Sequence, residues 1–112
     1  GRFEFWESSI ANHLGLGAAI EYANEVGIVK IQDRVTKLAS TLRLQLGAIP
    51  NVQVHDLGSV QCAIVTFSIA GILAENIKCS LESAGYTSSL VPSSSTPLDS
   101  LRRNVPDTLV RV

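Results

Sequence analysis

The final residues of the chain, "TLVRV" from Thr108 to Val112, place an arginine inside a run of strand formers. Period-two alternation sets Val110 and Val112 on one face and Leu109 and Arg111 on the other. A guanidinium on a strand needs either solvent or an anion, and its planar fork matches a carboxylate through two parallel hydrogen bonds. Two readings of Arg111 therefore stand side by side: an exposed strand residue, or an arginine that binds a carboxylate.

The other chemically capable residues point less sharply. His13 and His55 have no metal ligands near them in sequence, and the abundant serines fall in no G-x-S-x-G nucleophile turn, so both histidines are expected to be structural or exposed. Cys62, within an apolar run, is expected to be a small core residue, and Cys79, on the polar side of a helix with Glu75, Lys78 and Glu82, an accessible thiol without an activating neighbour. Lys30, Lys37 and Lys78 lie in polar helical company, which does not suit a desolvated Schiff-base amine. "GLGAAI", Gly15 to Ile20, lacks the preceding strand and third glycine of a dinucleotide-binding turn, and helix packing explains it better.

The elements that must position these residues follow from periodicity. Ser8 and Ser9 can cap a helix starting near Ile10, in which Ile10, Leu14, Ala18 and Tyr22 recur at helical spacing and Gly15 and Gly17 imply close packing. Gly27 breaks it. A second helix carries Ile31, Val35, Leu38, Leu42 and Leu46 on one stripe, with Asp33, Arg34, Lys37 and Arg43 largely on other faces. Gly47 is expected to supply a left-handed cap there, and Pro50 to prevent continuation. "NVQVHD" (51–56) alternates as a half-buried strand with Val52 and Val54 inward, while "CAIVTFSI" (62–69) suits a central strand joined to it antiparallel through Leu57 to Gln61. Ala70 and Gly71 turn into a third helix with Leu73, Ile77, Leu81 and Ala84 on its stripe and Gly85 at its end. "YTSSLV" (86–91) is a short strand, "PSSSTP" (92–97) a loop, "DSLRR" (99–103) one helical turn, and "TLVRV" the last strand. The order predicts an α+β fold, a two-layer sandwich whose helices pack on one face of a small, mainly antiparallel sheet.

Composition sets the frame. The 112 residues are expected to form a single domain, 1–112; 46% are hydrophobic and 17% charged, as in ordinary globular chains rather than disordered ones. The net charge of −1 gives no basic footprint for nucleic acid, and Arg102 and Arg103 are expected to be a solvated turn. No apolar run reaches the ~20 residues of a membrane span, and "GRFEFWESS" lacks the layout of a signal peptide, so a cytoplasmic location with reduced cysteines is expected. The chain holds no methionine and opens on an apolar-aromatic segment with Phe3, Phe5 and Trp6, so it is expected to be a piece of a longer protein.

In order and spacing, "RFE" (2–4), "GLGAAIEY" (15–22), "VGIVKIQDRVTKLASTL" (26–42), "IPNVQVH" (49–55), "CAIVTFSI" (62–69) and "LVRV" (109–112) resemble the C-terminal small domain of class V aminotransferase enzymes. That family of fold type I pyridoxal-phosphate enzymes includes cysteine desulfurases, selenocysteine lyases and isopenicillin-epimerase-like proteins. The resemblance implies a parent enzyme, a homodimer, whose missing large domain carries the cofactor lysine, so that this chain alone binds no cofactor and is inactive. It also implies that Arg111 binds the α-carboxylate of an amino acid substrate. Where many relatives follow "RFE" with Gly-Thr, the threonine reaching the cofactor phosphate, this chain has Trp6 and Glu7; Ser8 or the backbone would take over that contact. In desulfurases a nucleophilic cysteine precedes the arginine-bearing strand, whereas "LVPSSSTPLDSLRRN" (90–104) has none. Lyase, epimerase or transaminase chemistry is then expected rather than persulfide formation. The competing expectation, from residues alone, is a free-standing, non-catalytic α+β module that binds a ligand or partner.

Overall fold

A computed structural model describes residues 9–103 and 105–112. Four helices and four strands follow one another as α1 (Ile10–Val26), α2 (Ile28–Gly47), β1 (Val52–Val54), β2 (Thr66–Ile69), α3 (Ala74–Ser83), β3 (Ser89–Pro92), α4 (Pro97–Arg103) and β4 (Thr108–Arg111), with one 3₁₀ turn at Ser93–Ser95. The chain divides into two compact units, Gly1–Arg34 and Val35–Val112.

In the first unit, the Ser9 hydroxyl accepts the Asn12 amide and starts α1. Gly27, at φ 98°, ends it in a conformation that suits glycine, and its amide donates to the Ala23 carbonyl. Among the described residues the expected packing of α1 is not seen: it buries no residue, Ile10, Leu14 and Tyr22 stand 70% exposed or more, and a Cβ at Gly15 or Gly17 would meet nothing within 4 Å.

The second unit is the α+β sandwich that the periodicity predicts. Its sheet has the order β1-β2-β4-β3, and every pairing is antiparallel. Val54, Phe67, Val110 and Leu90 lie across from one another in one row. Phe67 and Val110 form the core with Ala74 and Ile77 of α3, and Leu46, Val52, Ile69, Leu81 and Leu90 pack around it. Val110 is fully buried, so β4 is held by apolar burial as well as by its two strand neighbours. Pro92 is accommodated because β3 is an edge strand, where a missing amide costs no ladder bond on the open side.

Several local expectations are corrected. Gly47 is still helical, and the left-handed residue is Asn51, at φ 66°, just before β1; asparagine tolerates that region better than most side chains. Leu38 is 50% exposed and Ala39 is the buried residue of α2. In α3, Ala74 rather than Leu73 or Ala84 joins Ile77 on the buried face, while Gly71 (φ 79°) and Gly85 (φ 85°) turn the chain at either end of it as expected. The apolar run 62–69 is a strand only from Thr66 onward, so Cys62 is exposed rather than a core residue. "PSSSTP" contains the 3₁₀ turn and the first residue of α4, where proline's missing amide is harmless.

Candidate functional site

The sheet face opposite the Phe67–Val110 core is polar where the strands cross. Thr66 pairs with Arg111, and Arg111 pairs with Ser89, so one row across β2, β4 and β3 reads Thr66, Arg111, Ser89. Arg111 is exposed, and its Nε donates to the Ser89 Oγ at 2.9 Å. That bond orients the fork. Among the described residues no carboxylate forms an ion pair with it. Arg111 opens, with Ile64, Thr87, Ser88, Ser89 and Val112, onto a shallow depression of about 560 Å³. The Ser88 hydroxyl is buried without a hydrogen-bond partner among the described residues.

Arg43 is the opposite kind of arginine, and its position on the flank of the α2 stripe gave no sign of it. Its Nε donates to Asp56 Oδ2 at 2.7 Å, and its Nη2 donates to the carbonyls of Cys62 and Ile64, each at 2.8 Å. Asp56 Oδ1 accepts the Thr66 amide at 2.9 Å and the Thr66 hydroxyl at 2.6 Å. The two charged side chains are only 12% and 11% exposed. Burial pushes the Asp56 carboxyl upward, but the hydrogen bonds from Thr66 and Arg43, with the Arg43 charge, outweigh it and hold the pKa below the ordinary 3.8. Just ahead of β2, the Cys62 and Ile64 carbonyls are thus engaged by a guanidinium.

His55 is buried, with Nε2 2.8 Å from the Ser68 Oγ, and His13 is exposed, as the sequence reading allows. Cys79 is exposed, as expected. Ser8 lies outside the described residues, as do Trp6 and Glu7. Among the described residues no three His, Cys, Asp or Glu side chains gather as metal ligands, and no helix is long and apolar enough to cross a membrane.

The described lysines do not fit a covalent pyridoxal-phosphate site. Lys30 and Lys37 are exposed, and Lys78 pairs with Glu82 one helical turn on, which stabilises its cation and raises its pKa. A Schiff-base lysine needs the opposite bias.

Comparison with known proteins places these elements in a family. The cysteine desulfurase of Wigglesworthia glossinidia brevipalpis is 31% identical over 84 residues, which are 75% of this chain and 20% of that protein. A probable cysteine desulfurase of Chlamydia trachomatis is 35% identical over 88 residues, 77% of this chain and 22% of that protein. One from Methanothermobacter thermautotrophicus is 34% identical over 76 residues, 68% of this chain and 17% of that protein. The chain thus spans about a fifth of the length of the first of these relatives. The family profile described as aminotransferase class-V matches residues 2–98, so β4 and Arg111 lie beyond the matched segment. With 97 of its 112 residues matched (2 through 98), the chain belongs to the class V aminotransferase family.

Proposed function

We propose that this chain is the small domain of a pyridoxal-phosphate enzyme acting on an amino acid, and that Arg111 binds the α-carboxylate of that substrate. The observation that carries the reading is the contrast between the two arginines. Arg43 spends its donors on three protein acceptors, while among the described residues the exposed Arg111 donates through Nε to Ser89 at the edge of a depression and pairs with no carboxylate. A fork held at one nitrogen is pre-organised for a planar anion, and bidentate contact would fix both the position and the tilt of the substrate. Arg111 would act by orientation, leaving the bond-breaking chemistry to the cofactor bound by the larger domain.

The exposed apolar surface of α1 supports the same reading. Ile10, Leu14, Leu16 and Ile20 are apolar side chains that burial would favour, and the larger domain is the surface that would bury them. The reaction subtype we propose is lyase, epimerase or transaminase. The segment from β3 through α4 carries serines at Ser93–Ser95 and no cysteine, Cys79 sits on α3, and the Cys62 carbonyl is tied to Arg43. None of these offers a thiol on the stretch leading into β4.

The test is replacement of Arg111 by Ala in the full-length enzyme. KM for the amino acid should rise by about 10²-fold, the loss expected of a charge-assisted bidentate contact, while cofactor absorption is unchanged. Kinetics equal to those of the unmodified enzyme would return Arg111 to an ordinary exposed strand residue.

A further inference from the structure

Resting on the carboxylate-binding role of Arg111, we infer that Arg43 and Asp56 are positioning residues for it, acting through Thr66. Thr66 is the residue directly across from Arg111, so the placement of one sets the placement of the other. The Thr66 amide donates to Asp56, and its carbonyl accepts the His55 amide at 2.8 Å. Its side-chain hydroxyl is held by the same Asp56 oxygen. Beyond it, Val65 and Val112 exchange both backbone hydrogen bonds, at 2.9 and 3.0 Å, which carries the β2–β4 ladder past Arg111. Residues 64–66 are therefore gripped on one side by the Arg43–Asp56 pair and on the other by the strand that bears the guanidinium.

The charges complete the device. Asp56 stays ionised, held by bonds to Thr66, the residue that faces Arg111, and to Arg43. Arg43 takes one carboxylate oxygen and Thr66 the other, so the anion is fully engaged away from β4. The network thus holds the register of β4's neighbour.

The experiment compares, in the full-length enzyme, the affinity for the amino acid with that for the amine lacking the carboxylate. Asp56→Ala should lower this ratio by at least about fivefold, because sub-ångström errors in an orienting contact are felt strongly, while amine affinity stays put. Combined with Arg111→Ala it should add nothing further, since both changes remove the same contact. Thr66→Val should lower the ratio in the same direction and Thr66→Ser, which keeps the hydroxyl, should restore it; this pair decides the matter if Asp56→Ala does not fold. An unchanged ratio in Asp56→Ala or Thr66→Val, or additivity with Arg111→Ala, overturns the inference. A ratio unaffected by Arg111→Ala alone overturns the carboxylate role itself, which separates the two failures.

Discussion

Two arginines thirteen to twenty-two residues from their main partners behave in opposite ways, and the difference is set by what reaches them. Arg43 meets a nearly buried carboxylate and two carbonyls; Arg111 meets one serine hydroxyl. Arg111→Lys should fail to restore the affinity lost in Arg111→Ala, because an ammonium offers no planar fork and cannot span from Ser89 to a bidentate anion; amino acid KM measures this. Removing one partner of the Arg43–Asp56 pair leaves the other charge nearly buried. Arg43→Ala should therefore cost about 3 kcal/mol in denaturant unfolding. The pH dependence follows from the depressed Asp56 pKa. A carboxyl whose folded pKa lies below its ordinary 3.8 adds stability that is fully present above that value and is lost as pH falls through the folded value. The advantage of the unmodified protein over Asp56→Asn should hold from neutrality down to about pH 5 and shrink below about pH 4, as read from unfolding midpoints against pH. Arg111 stands out in sequence as a candidate because a charge inside "TLVRV" breaks a pattern. Arg43 does not, since a cation flanking an apolar helical stripe looks solvated, and its acceptors lie far along the chain.

At the scale of elements, periodicity located what burial controls. The alternation of β1 and the Ile77–Leu81 stripe of α3 are seen as expected, because each turns one face to the Phe67–Val110 core, whereas β4 buries both Leu109 and Val110, on its two faces, and leaves Val112 exposed. Phe67→Ala should cost about 3–5 kcal/mol in chemical denaturation, a loss of transfer energy plus an unfilled cavity. What periodicity could not give was the end of a ladder. The run 62–69 is almost wholly apolar, yet the strand covers only Thr66–Ile69, and the Cys62 and Ile64 carbonyls ahead of it accept from Arg43. Backbone sign was equally illegible at the end of α2, where Asn51 and not Gly47 takes the left-handed conformation. Gly71, at φ 79° between β2 and α3, is a true glycine position, and Gly71→Ala should destabilise by roughly 1–2 kcal/mol in the same assay.

At the scale of the molecule, family membership was readable from the order of individually weak segments, while the role of α1 was not readable from its own pattern. Ile10, Leu14 and Tyr22 lie at helical spacing, yet none is buried among the described residues. Hydrogen exchange should find α1 amides strongly protected in the full-length enzyme, with protection falling when Leu14 is replaced by Asp; rapid exchange throughout α1 would remove the proposed contact with a larger domain. The central claim is that Arg111 grips the substrate's carboxylate. It is tested most directly by measuring how well the full-length enzyme and its Arg111→Ala variant distinguish an amino acid substrate from the corresponding amine. The account predicts a preference for the acid of about 10²-fold that collapses toward unity in the variant, with amine binding unchanged. A preference that survives the substitution would contradict it.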